Sequence, residues 1–216
     1  MTPSSSRRRW ERSPIRFARS GASTANGSSF RASGVIDVPF GRRATGRQTP
    51  SSAGGQSERD WSDAQRLLYW WQAERELLLK TLSAVPEDQV DEPLADGAWS
   101  PKGIAAHRLF WEAEERAAIE EHIGGAFPSL LDFPTRRIDS TNAAAVASLG
   151  DRRLSALVRA VQDLRGRTVT LVERIPEADL NSQGNPARIL LGVALEHDRE
   201  HRRELEAKFG PTSPDE

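Results

Sequence analysis

Pro186-Ala-Arg-Ile-Leu-Leu-Gly-Val-Ala-Leu-Glu-His197-Asp-Arg-Glu-His201-Arg-Arg-Glu-Leu-Glu-Ala-Lys-Phe209 is the stretch from which the rest of the chain can be read. Its residues Leu190, Ala194, His197, His201 and Leu205 follow one another at steps of four, three, four and four, the period of one helix face. Pro186 suits a first helical position, and Gly210 with Pro211 stops the run. Two histidines therefore lie in an apolar stripe, one turn apart, with Cβ atoms roughly 5 to 6 Å from each other. That separation lets both rings reach one ion.

Three further runs carry the same period. Over residues 62–84, Leu67, Leu68, Trp71, Leu78 and Leu82 recur at helical spacing, and Val85 follows before Pro86 ends the run. A second helix opens with Ser100 as cap and Pro101 behind it, reaches about Ile123, and is stopped by Gly124 and Gly125. A third starts near Asn142 or after Gly150, carries Leu154, Leu157, Val158, Val161, Leu164, Val169, Leu171 and Val172, and closes at Pro176. Residues 126–141, with Pro128 and Pro134, form a connection long enough to be a lid or a crossover. Strand-like alternation is absent. Four striped helices with nothing else to cover their faces predict an all-α four-helix bundle over residues 58–212, followed by a short tail at 213–216.

In the second helix Ile104, His107, Trp111 and Ala118 share a face, which turns His107 inward, while Arg108, Glu112, Glu115 and Arg116 are assigned largely elsewhere. Three buried imidazoles side by side lose solvation and repel when protonated, whereas one cation would use all three lone pairs. The pattern favours a metal site of His107, His197 and His201 over three separately hydrogen-bonded histidines. His122, fifteen residues past His107, sits roughly 22 Å further along the helix and cannot share that ion. The zinc-protease motif is excluded, because it needs Glu directly after the first histidine and this chain has Asp198 there. Glu74 lies at the margin of its stripe as a candidate acceptor for a ligand imidazole, with Arg75 equally marginal. Trp99, eight residues before His107, is read as a packing anchor, with a place at the mouth of the site as the alternative.

Composition bounds the remainder. Residues 1–57 hold ten Arg and no Lys against Glu11 and Asp37, a net charge of +8, so the other 159 of the 216 residues carry −9 of the overall −1. This Arg-, Ser- and Gly-rich segment cannot bury enough apolar surface to offset its chain entropy and is read as a disordered arm. A transit peptide and a phosphate-binding arm both fit its charge. An extension without function is preferred, since Arg outnumbers Lys 27 to 3 across the whole chain, and no nucleic-acid partner is expected. Neither a membrane span nor a secretory signal is indicated, and a cytoplasmic protein is expected. With no cysteine in the chain, any thiol chemistry must use a bound small molecule.

Trp99-Ser100-Pro101 followed by His107, together with the terminal His197-x-x-x-His201 helix, resembles the DinB-like superfamily of four-helix metal proteins. The helix-one aromatics, Ile138-Asp139-x-x-Asn142 and Ile175-Pro176-Glu177-Ala178-Asp179-Leu180 add to the likeness, which covers residues 61–209. It implies a bacterial bundle whose three histidines hold a divalent ion and leave positions for water or substrate. Members similar to this chain include transferases and isomerases that depend on mycothiol or bacillithiol. An all-imidazole site with open positions suits Zn, Ni or Fe, and a coordinated thiol is a nucleophile at neutral pH. The expected function is transfer of a low-molecular-weight thiol to an electrophilic small molecule. A hydrolase using metal-bound water and a non-catalytic metal- or ligand-binding stress protein are the alternatives. A homodimer, paired through a stripe containing Trp70, is also expected.

Overall fold

In a computed structural model, residues 61–211 are described. The arm assigned to residues 1–57 and the tail at 213–216 lie outside them. Six helices follow in order: α1 Asp63–Ser83, α2 Pro101–Ile123, α3 Ile138–Leu149, α4 Leu154–Val172, α5 Glu177–Asn181 and α6 Pro186–Phe209. No strand occurs among the described residues. No helix among them is long and apolar enough to cross a membrane.

Local chemistry sets the ends of the long helices. Ser62 caps α1 in a capping box with Gln65, Ser100 accepts from the Gly103 N–H with Pro101 behind it, and Asn185 accepts from the Ala187 N–H ahead of Pro186. Gly210 closes α6 at φ 87°, a left-handed backbone that other residues rarely adopt. The third predicted helix is two. Gly150 and the residues up to Arg153 break it, leaving α3 as part of the crossover and α4 as the bundle helix.

The bundle is the work of α1, α2, α4 and α6. Its main contacts run from α1 to α6 and α4, and from α2 to α4 and α6, so the first two helices occupy opposite corners. The long connection between them crosses the end of the bundle, and α3 then lies against α2. Trp70 is partly buried and packs against the core that includes Trp71, Leu190 and Leu191.

The apolar interior is divided. One cluster gathers Trp71, Trp111, Ile119, Val172, Leu190 and Leu191; the other gathers Leu78, Leu82, Ile104, Leu157 and Leu205. Between them every helix turns polar. Glu74 and Arg75 separate Trp71 from Leu78 on α1, and Arg165 and Thr168 separate Val158 from Val172 on α4. On α6 the break falls at His197 to His201, between Leu195 and Leu205.

Candidate metal centre

This polar layer contains the three histidines. His107 comes from the second turn of α2, His197 and His201 from the middle of α6, and all three are buried. One ring nitrogen from each lies within 4.8 Å of the others. Ring centroids are 4.8 Å apart for His107 and His197, 5.2 Å for His107 and His201, and 4.8 Å for His197 and His201. The convergence predicted from helix spacing is therefore present, and His122 lies apart at the end of α2, 3.9 Å from Asp179.

Each ring has a different neighbour. His201 Nδ1 is 2.8 Å from Glu204 Oε2, whereas its Nε2 is buried with no hydrogen-bond partner. A carboxylate on one nitrogen with the other left as a free donor atom is the usual arrangement behind a metal-ligating histidine. His107 Nε2 and His197 Nε2 stand 2.8 Å apart, and Trp99 stacks over His107 at 5.7 Å between centroids. Trp99 thus anchors the start of α2 against the second apolar cluster and lines the site as well. The Nδ1 of His197 faces Arg108 Nη1 at 2.6 Å, so its partner is a cation where a carboxylate or carbonyl is customary.

Arg108 leads into a cluster that spacing did not predict. The face assignment on α2 has to be corrected: Arg108, Glu112 and Glu115 are 1%, 0% and 7% exposed, and only Arg116 of that group reaches the surface, paired with Glu120. The physical reason is coverage. With α3, α4 and α6 all packed on it, α2 buries more than one stripe. Asp198, rejected as a catalytic glutamate equivalent, is fully buried and receives three guanidinium groups. Arg75 binds it through two nitrogens at 2.8 and 2.9 Å, Arg108 Nε lies at 2.9 Å, and Arg165 Nη2 at 3.1 Å. Glu112 meets Arg75 at 2.9 Å, and Glu115 meets Arg108 at 3.2 Å. Three guanidinium groups thus face three carboxyl groups, of which burial raises that of Glu115 above its ordinary value. Glu74 also departs from expectation, accepting from Arg199 and Arg202 at 3.1 and 2.9 Å and from no histidine.

Electrostatics follow the geometry. Burial opposes charge on Asp198 and Glu112, yet the arginines around them hold both carboxyls below their ordinary values. Burial is the largest influence on His107 and His197 and pushes both well below the ordinary imidazole value of 6.5, with His201 and Arg108 adding to the effect. Both rings are neutral in the folded chain and gain protons on unfolding, so stability is full above pH 6.5 and declines as pH falls below it. In chelator-treated protein the thermal midpoint is expected to drop from pH 7.5 to 5.5, at about 1.4 kcal/mol per pH unit for each imidazole below 6.5. A midpoint that stays level over that interval would contradict the burial of neutral rings.

A cavity of about 960 Å³ opens over the histidines, within the range of small-molecule sites. Its walls come from the connection before α2, from α2, from the crossover with α3, and from one side of α6. Buried ring nitrogens thus meet an accessible space.

An α-helical bundle with three convergent histidines at the floor of a cavity defines a class of candidate metal proteins. The sequence pattern of the DinB superfamily matches residues 70–205, and the chain belongs to that superfamily. A solved structure titled Sibling Lethal Factor Precursor, DfsB, aligns with a TM-score of 0.58 at 15% identity, over 68% of this chain and 95% of its own, which is a likeness of fold. No curated protein matches the chain in sequence.

Proposed function

We propose that His107, His197 and His201 hold a divalent ion and that the chain transfers a low-molecular-weight thiol to an electrophilic small molecule in the cavity above them. The observation that carries this reading is His201. Its Nε2 is buried without a partner, Glu204 fixes its Nδ1, and two further imidazoles stand beside it. The donor set is all nitrogen, which suits Zn, Ni or Fe better than Mg or Ca. Such an ion, when bound, supplies Lewis acidity that lowers the proton affinity of a coordinated thiol.

The chain's own residues do the rest. The four helices hold the imidazoles in place, and Trp99 covers His107 from the side of the connection before α2. The thiol must be a second small molecule, since no cysteine is present. In the transfer a sulfur–carbon bond forms and the thiol gives up its proton, while the acceptor either releases a leaving group with its electron pair or, where the sulfur adds across a double bond, takes up a proton at the adjacent carbon.

The test is consumption of a generic electrophile with mycothiol or bacillithiol, before and after chelation. Thiol-dependent turnover lost on chelation and restored by one metal supports the reading. Ester or amide hydrolysis without thiol would replace it with hydrolysis, and no turnover in either assay would leave a binding protein. Glu204→Gln keeps the side-chain shape and removes the carboxylate; metal affinity measured by competition with a chromogenic chelator is expected to fall about 10- to 100-fold. Unchanged affinity would remove Glu204 from the site.

A further inference from the structure

The ring protons of His197 and His107 have one consistent placement. A guanidinium only donates, so Arg108 Nη1, 2.6 Å from His197 Nδ1, makes that nitrogen an acceptor. Each imidazole keeps at least one N–H, and that of His197 is therefore on Nε2. It points across the 2.8 Å contact to His107 Nε2, which must accept. His107 in turn carries its proton on Nδ1.

An N–H buried at that point needs an acceptor, and the residue that offers one is Asn142 on α3. Trp111 fixes its carboxamide: the indole nitrogen can only donate and lies 2.8 Å from Asn142 Oδ1, so the oxygen is turned toward α2. One oxygen has lone pairs for two donors. His107 and Trp111 stand one turn apart on α2 with ring centroids 6.2 Å from each other, and Asn142 acts on His107 as well, as a hydrogen-bond acceptor. That second contact is the looser one, since His107 Nδ1 makes no well-formed hydrogen bond to a described residue. The chain of donors nonetheless runs one way, from Arg108 through His197 and His107 to Asn142. Packing does not account for Asn142: it is partly exposed and lines the cavity, and Ala145 is the buried residue of α3.

We propose that Asn142 is the positioning residue of His107, its Oδ1 taking the Nδ1 proton so that Nε2 stays the nitrogen offered to an ion, the part Glu204 plays for His201. The inference rests on the metal reading. It gives the crossover helix α3 a place in the centre, as the element that sets the orientation of an imidazole carried by α2. The carboxamide neither ligates nor touches substrate in this role; it acts through the ring.

The test measures zinc affinity of the full-length protein by competition with a chromogenic chelator. Asn142→Leu has similar volume and no acceptor, and its affinity is expected to fall about 10- to 100-fold. Asn142→Asp keeps an acceptor oxygen for both Trp111 and His107 and should bind at least as tightly as wild type. A side chain that only supported the fold would not be rescued in this way. Nitrogen-15 NMR of the histidine rings in chelator-treated wild type at neutral pH is the second readout, with His107 expected as the Nδ1–H tautomer and His197 as the Nε2–H tautomer.

Equal affinity in wild type and Asn142→Leu overturns the proposal, as does an equal loss in both variants or an Nε2–H tautomer at His107. Circular dichroism reports the folding of each variant, and the wild-type tautomers decide if Asn142→Leu does not fold. Failure of the metal reading would appear separately, as wild type without stoichiometric zinc binding, and would leave the tautomer of His107 to be read in the same spectrum.

Discussion

Asp198→Asn is expected to destabilise the domain by about 3 to 5 kcal/mol, the usual result of breaking a buried ion pair from one side. The substitution preserves shape and removes one charge. Three guanidinium groups within about 3 Å of that carboxylate would then face only Glu112 and Glu115 for balance. Arg108 is placed by the same contact, so its position against the His197 ring would relax too. For a domain of this size the loss corresponds to a thermal midpoint lower by about 10 °C. Scanning calorimetry of both proteins in chelator at neutral pH measures it directly. A midpoint within about 2 °C of wild type would mean that the cluster redistributes its charge freely, contrary to its dense pairing.

His201→Ala should abolish stoichiometric metal binding while leaving the fold intact. The other two imidazoles remain, but a site reduced from three protein ligands to two loses a direct bond. The expected fall in affinity therefore exceeds the roughly 100-fold that removal of a supporting partner costs. Little stability depends on this ring: its outer nitrogen has no protein partner, and Glu204, its neighbour, is half exposed and well solvated. Elemental analysis after dialysis against non-chelating buffer separates the cases. Equal metal in the two proteins would remove His201 from the ligand set and would leave the cavity without its proposed reactive centre.

The four long helices were legible because apolar period, caps and breakers agreed along the chain. Pro101 and Pro186 open α2 and α6, and the predicted end of α2 at Ile123 is the observed one. The break at 150–153 was ambiguous for a local reason: Gly150 can end one helix, while the alanines before it favour continuing it. Inward histidines could be found by counting along two faces. The ionic cluster could not, because Arg108, Glu112 and Glu115 at helical spacing look like a solvated surface. Their burial depends on Arg75, Arg165 and Asp198, which come from three other helices. Glu204 was within reach of sequence reasoning, three residues after His201 on the same helix. Asn142 entered only through a family likeness, since its contact with Trp111 depends on which way that ring turns its N–H.

The charged layer across the bundle has a consequence for alignment. Helices joined by leucines alone can slip by one turn, 5.4 Å, and exchange one isobutyl group for another at small cost. Here such a slip would carry Asp198 away from Arg75 and Arg165 and leave each of them facing hydrocarbon. The axial setting of α6 against α1, α2 and α4 is thereby locked by charged groups that lie directly beside the imidazoles. Relatives that keep the imidazoles and lose this lock would need another device to hold the rings level.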